Sequence, residues 1–283
     1  MAKMLVKKTN LNKIKNSIIV NKFSNNHVYY LHNSYGLGDS IFNFIFFNLI
    51  QKYIEYNDIK IFYYAKKNYL LQLKEFICSK NIFLASLEHK PDISIEVWID
   101  NPLFGNTFAT QKQPVNYNHY YKIFFTNVLN KLNMKFSINK LFYTDTNLID
   151  RYNNISNKYK EIDILVVNSQ PYSGQYKYNK TQWDTYISLL SNSFKIATTT
   201  KINNLLCTFD DNLTIKDIAS ISTNVKVIIA INSGVLPGLL NDLTLKNVKK
   251  FYIFDNRCYY SYPNFENKKL ITDISIAELK ILV

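Results

Sequence analysis

Glycine is scarce in this chain, with six residues among 283, so each position where one occurs carries weight. Cysteine is scarcer: Cys78, Cys207 and Cys258 are odd in number, far apart and without CxxC spacing. That excludes a disulfide framework and a cysteine-based zinc site, and it fits a reducing compartment. No apolar run is long enough to cross a bilayer. The longest, residues 41–50, is broken by Asn43 and Asn48, and the N-terminal stretch lacks the apolar core of a secretory signal. A cytoplasmic, soluble protein is expected. Acidic charge is also short, at 21 Asp and Glu against 34 Lys and Arg, for a net charge of +13. The lysines are nonetheless scattered, adjoining only in short pairs such as Lys66-Lys67. Without a basic block or nucleic-acid signature, no specific nucleic-acid partner is expected, and the basic surface leaves room for peripheral contact with acidic surfaces. No repeat of solenoid length is present.

With 47% apolar and 15% aromatic residues, the chain can bury a core. Its length suits two domains. Strand patterns at 29–31, 58–64, 81–85 and 93–99 alternate with helical patterns at 41–50, 68–79 and 121–132. After a polar, helix-like stretch at 145–160, strands at 162–168, 194–199, 225–231 and 250–254 alternate with helices starting near Thr181, Thr214 and Gly234, and a last helix is expected over 275–282. This βα alternation predicts an α/β protein with mostly parallel sheets, built as two Rossmann-like domains over residues 1–158 and 159–283 with a cleft between them.

Five of the six glycines fall in three short segments: Gly36 and Gly38, then Gly174, then Gly234 and Gly238. Each segment follows an expected strand and precedes an expected helix, where α/β proteins hold ligands, although glycine also simply marks turns. Gly36 and Gly38 suit a backbone with positive φ or a close approach. Asp39 is expected at the helix N-cap. A helix start at Ser233-Gly234 offers free N–H groups to an anion, and Lys180 adds a point charge, so a diphosphate is the natural guest. Opposite, Asp39 suits a general base for an acceptor hydroxyl, with the plain N-cap as the alternative reading. His119, after the loop at 101–118, is the acceptor-side candidate; beside Tyr120 and Tyr121 it also reads as a packing residue. No acidic metal cluster is evident.

The order of these segments resembles the GT-B glycosyltransferases, and among them most resembles the ADP-heptose transferase (heptosyltransferase) family. The family's G-x-G-D turn is matched by Gly36-Leu37-Gly38-Asp39. Its K-x-W segment is matched, with one extra residue, by Lys180-Thr181-Gln182-Trp183. Its D-S-G-P-x-H turn falls where this chain reads Asn232-Ser233-Gly234-Val235-Leu236-Pro237. Asn232 replaces the acid, Val235 the proline, and Pro237 stands at the histidine, which implies that the donor is read differently.

The resemblance implies a GT-B fold and an inverting transfer from a nucleotide-sugar donor to a carbohydrate or glycoconjugate hydroxyl. Asp39 would be the base, with Gly38, Lys180, Asn232, Ser233 and Gly234 holding the donor and no metal or other cofactor required. Two other functions suit the same fold. One is a nucleotide-sugar epimerase; the other is a non-catalytic module binding a glycan or anionic polymer.

Overall fold

The computed structural model describes residues 27–98, 101–104, 115–138, 145, 147–172, 174–255, 260–261 and 270–271. The helix expected over 275–282 lies outside them. The first sheet contains β1 (Val28–His32), β2 (Lys60–Ala65), β3 (Ile82–Ser86) and β4 (Ile95–Glu96), in the order β3-β2-β1-β4. A two-stranded pair joins β5 (Val115–Asn116) to the later β11 (Tyr260–Ser261). The second sheet contains β6 (Ile164–Val167), β7 (Ile196–Thr198), β8 (Leu206–Cys207), β9 (Val227–Ile231), β10 (Lys250–Phe254) and β12 (Leu270–Ile271), in the order β12-β10-β9-β6-β7-β8. All strand pairs in both sheets are parallel, as the βα alternation predicts.

In each sheet the chain builds outward from its first strand and then returns to the other side of that strand. The points of return are β1 beside β4 and β6 beside β9. Side-chain period explains the burial. In β6 and β9 every residue is buried: Leu165, Val167, Ile228 and Ala230 face one core, while Ile164, Val166, Ile229 and Ile231 face a second around Trp183 and Ile187. That is the signature of strands covered on both sides.

The first of these cores is continuous with that of the first sheet. It runs from Leu31, Ile61 and Tyr63 through Ile41, Phe44, Phe46 and Phe47 of α1 (Leu37–Leu49) to the second sheet's inner face. Phe46 stacks on Phe125 of the later helix Tyr117–Lys131, ring centroids 4.4 Å apart. After α1 come α2 (Gln51–Tyr56) and α3 (Leu70–Lys74), the latter shorter than the pattern at 68–79 predicts, then α4 (Tyr117–Lys131) and α5 (Asn147–Asn154). The second sheet carries α6 (Lys180–Leu190), α7 (Ile215–Ser222), α8 (Leu236–Leu239) and α9 (Asp242–Asn247). No helix among the described residues is long and apolar enough to cross a membrane.

A polar seam joins the sheets. The helix start at Thr214 is confirmed as a full capping box with Asp217. That helix end rests on α3: the Ile215 N–H donates to Gln72 Oε1 at 2.7 Å, and Lys216 Nζ donates to the Glu75 carbonyl at 3.0 Å. Lys216 also pairs with Asp145 at 2.9 Å, and Arg151 of α5 lies between Glu75 at 2.5 Å and Asp217 at 2.6 Å. Arg151→Ala strands two carboxylates in a largely buried setting. It should cost about 1–3 kcal/mol in urea unfolding, between the values for exposed and fully buried pairs. Lys195→Ala, which breaks the exposed pair with Glu161, should leave the midpoint in place.

Candidate functional site

The carboxyl end of β1 runs into the turn that starts α1. Gly36 is the N-cap, with φ −89° and ψ 154°, so the expected positive φ is not used there. Among the described residues Gly174 is the glycine that adopts one. Asp39 is likewise not the cap: it is the third residue of the helix, in its first turn. A Cβ on Gly36 would stand 3.2 Å from Asp39 Oδ2. The bare glycine therefore makes room for a carboxylate folded back over the helix start, where the unpaired N–H groups favour negative charge.

A buried amide network fixes this turn from below. Asn33 Oδ1 accepts from the Tyr35 N–H at 2.7 Å, and Asn33 Nδ2 donates to the Val97 carbonyl at 3.2 Å. Asn43, which interrupts the apolar run of α1, donates to that carbonyl and to Tyr63 Oη, both at 2.8 Å. Burial pushes the Tyr63 phenol far up, and the nearby Asp39 charge adds to the effect. Tyr63 therefore stays protonated and keeps its place in the network.

The register of β1 on β4 sets His32 opposite Glu96. His32 Nε2 lies 3.8 Å from Glu96 Oε1, and the Ser34 hydroxyl donates to the same oxygen. Burial lowers the His32 pKa, opposed by Glu96 and assisted by Lys90. The sequence gives no hint of this pair, because it exists only once β4 returns beside β1.

At the second sheet's point of return, Ser233 Oγ and Ser169 Oγ are hydrogen-bonded at 3.1 Å across the ends of β9 and β6. Asn168 Oδ1 accepts from the Thr199 and Thr200 N–H groups at 3.1 and 2.9 Å, tying in the end of β7. Asn232 Nδ2 donates to Asp255 Oδ2 at 2.6 Å. Asp255, just past β10, was not a sequence candidate. The single helix expected from Gly234 is instead two: α8 ends at Leu239, and α9 starts afresh with Asn241 as cap, accepting from the Thr244 N–H at 2.9 Å.

Lys180 is the first residue of α6. The cap is Asn179, accepting from the Gln182 N–H at 3.1 Å, rather than Thr181. The Lys180 ammonium is directed at Asp184 one turn on, and its side chain is 68% exposed. The structure pairs it with that carboxylate. His119 lies on α4, where the backbone alone is described.

The two points of return touch. A Cβ on Gly38 would lie 3.5 Å from Gly234 Cα and 3.6 Å from Pro237 Cγ; one on Gly234 would lie 3.4 Å from Leu37 Cβ. These are ordinary contact distances. Neither packing nor φ demands glycine at 38 or 234, and the two bare backbones lie against each other. Among the described residues no three His, Cys, Asp or Glu side chains stand together to hold a metal ion.

The lowered pKa of His32 has a sign that can be checked. Between its folded value and the ordinary 6.5, the unfolded chain binds the extra proton, so stability falls as pH drops through that window. Glu55, Glu161 and Asp211, each held low chiefly by a side-chain hydrogen bond, lose their contributions only at lower pH. The melting temperature should therefore fall between about pH 7.5 and 5.5, and His32→Leu should flatten that fall.

Against known proteins, no family model and no curated protein matches the sequence. Solved structures do match. The E. coli heptosyltransferase WaaC with ADP superposes with a TM-score of 0.53 at 10% identity, over 89% of this chain and 96% of that one. WaaC with ADP-2-deoxy-2-fluoro heptose gives 0.51 at 9% identity, over 86% and 92%. At such identities the likeness is one of fold alone: this chain has the GT-B-type α/β fold of WaaC.

Proposed function

We propose that the protein is a glycosyltransferase that moves a sugar, with inversion, from a nucleotide-diphosphate donor to a hydroxyl of a carbohydrate or glycoconjugate acceptor. The observation that supports this reading is the contact of Gly38 with Gly234, which brings the turn that carries Asp39 in one half of the chain to the Ser233 turn of the other. Parallel α/β sheets bind ligands at such points of return. WaaC, of the same fold, is described with ADP and with an ADP-heptose analogue.

In this reading residues 1–158 hold the acceptor and residues 159–283 the donor. Asp39 takes the acceptor hydroxyl proton as that oxygen attacks the anomeric carbon, and the bond from that carbon to the diphosphate oxygen breaks. The leaving charge falls on backbone N–H groups of the 232–234 turn. Since α8 is a single turn, these groups count for more than a helix dipole. Lys180, on an exposed stem, swings from Asp184 to the phosphates. Asn232 beside Asp255 avoids a second carboxylate at hydrogen-bond distance, which would have to share a proton or repel the donor. No metal is required, so activity should survive chelation with EDTA; activity restored only by Mg²⁺ or Mn²⁺ would sink that part.

The first test is a thermal-shift screen across nucleoside diphosphates, where a true donor nucleotide at 100 times Kd stabilises by about 2.7 kcal/mol. With the donor found, Asp39→Asn separates chemistry from structure. Asp39 is a first-turn residue rather than the cap, so losing its charge should cost about 0.3–1 kcal/mol. Turnover should fall by roughly 10²–10⁴ with donor affinity retained. Transfer at the wild-type rate would move the base elsewhere.

A further inference from the structure

His32 is 92% buried by its 8% exposure, yet its Nδ1 has no hydrogen-bond partner among the described residues. Its other nitrogen faces Glu96 at 3.8 Å, too far for a hydrogen bond. A buried imidazole with neither nitrogen hydrogen-bonded opposes folding, and native proteins rarely keep one without use. The pair sits at the carboxyl ends of β1 and β4, where the first sheet returns on itself. The two loops that carry it also carry an aromatic pair. Tyr35, 49% exposed, lies against Trp98 with ring centroids 4.4 Å apart and a 41° tilt.

We propose that His32, Glu96 and Ser34, with the Tyr35 and Trp98 rings on the same two loops, form a subsite for an uncharged sugar ring of the acceptor, engaged through one of its hydroxyls. This rests on the transferase reading for the word acceptor, but the chemistry of the subsite stands on its own residues. Two atoms 3.8 Å apart can both lie about 2.8 Å from one hydroxyl oxygen. A hydroxyl is donor and acceptor at once: it gives its proton to Glu96 and accepts from His32 Nε2–H. That requires a neutral imidazole protonated on Nε2. Burial and Lys90 favour the neutral ring, and Glu96 is the facing charge that opposes it. Ser34, by donating to Glu96, fixes the carboxylate so that its remaining acceptor capacity points to the ligand. The exposed aromatic face suits the apolar C–H side of a sugar. A ring bearing a carboxylate or phosphate at this point would meet Glu96 as a like charge and be rejected.

The test uses the full chain and methyl glycosides of glucose, galactose and mannose as probes, with methyl glucuronoside as the anionic control. Binding is followed by the His32 ring resonances and Trp98 fluorescence. Expected are saturable shifts with at least one neutral glycoside, none with the glucuronoside, and binding weakened roughly tenfold or more in Glu96→Gln. His32→Leu should melt no lower than wild type at neutral pH, because it removes an unpaired polar atom. No shift with any neutral glycoside up to the solubility limit would overturn the proposal. So would equal binding by Glu96→Gln, or a His32→Leu protein that melts several degrees lower. Nucleoside diphosphate binding in the same samples separates the two readings. Its absence with the glycoside still bound sinks the transferase reading alone, and its presence without glycoside binding sinks the subsite alone.

Discussion

The site depends on the polar seam that fixes one sheet against the other. Arg151, Lys216 and Gln72 each reach from one half of the chain to groups of the other, at distances that leave little freedom to slide. Part-buried charges such as these lose stability when left unpaired, so the seam favours the relative placement in which each charge meets its partner. Asp217 shows the economy of the arrangement: it closes the capping box of α7 and accepts from Arg151. Helix start and sheet placement are therefore one constraint. With the seam formed, the Gly38 and Gly234 turns meet.

The glycines then read differently from the way composition suggests. Gly238 is held by packing, since a Cβ there would come within 2.8 Å of Ile215 Cγ2. Gly36 is held by the Asp39 carboxylate. Gly38 and Gly234 are held by neither, and both lie at the contact between the points of return. Among the four, the two that neither packing nor φ explains lie at the turns of the proposed chemistry, where local rules are expected to yield to function.

What the sequence made legible was local. The strand expected at 250–254 is β10, and the capping box at Thr214 is complete, because runs of aromatic and β-branched residues and S/T-x-x-D/E spacing act within a few residues. The helix expected at 68–79 stops at Lys74 for a tertiary reason: Glu75 turns toward Arg151, and Phe76 enters the core. The helix expected from Gly234 to Asp242 breaks because Asn241 caps a new one. His32 with Glu96, and Asn232 with Asp255, are pairs between adjacent parallel strands far apart in sequence. No spacing rule finds such pairs until the strand order is known.

Charge at the site runs against charge of the whole. The chain carries +13, yet the side chains gathered at the two points of return include Asp39, Glu96 and Asp255, while Lys180 is occupied by Asp184. A net positive charge favours encounter with an anionic ligand from a distance without choosing a pose. Acidic groups at the centre then do the choosing, because a carboxylate accepts hydroxyls and repels misplaced phosphates. In the reaction proposed above, the diphosphate would lie on the Ser233-Gly234 side and the acceptor hydroxyl on the Asp39 side. The same division is why net charge cannot locate the proposed site: the overall charge and the carboxylates at the points of return have opposite sign.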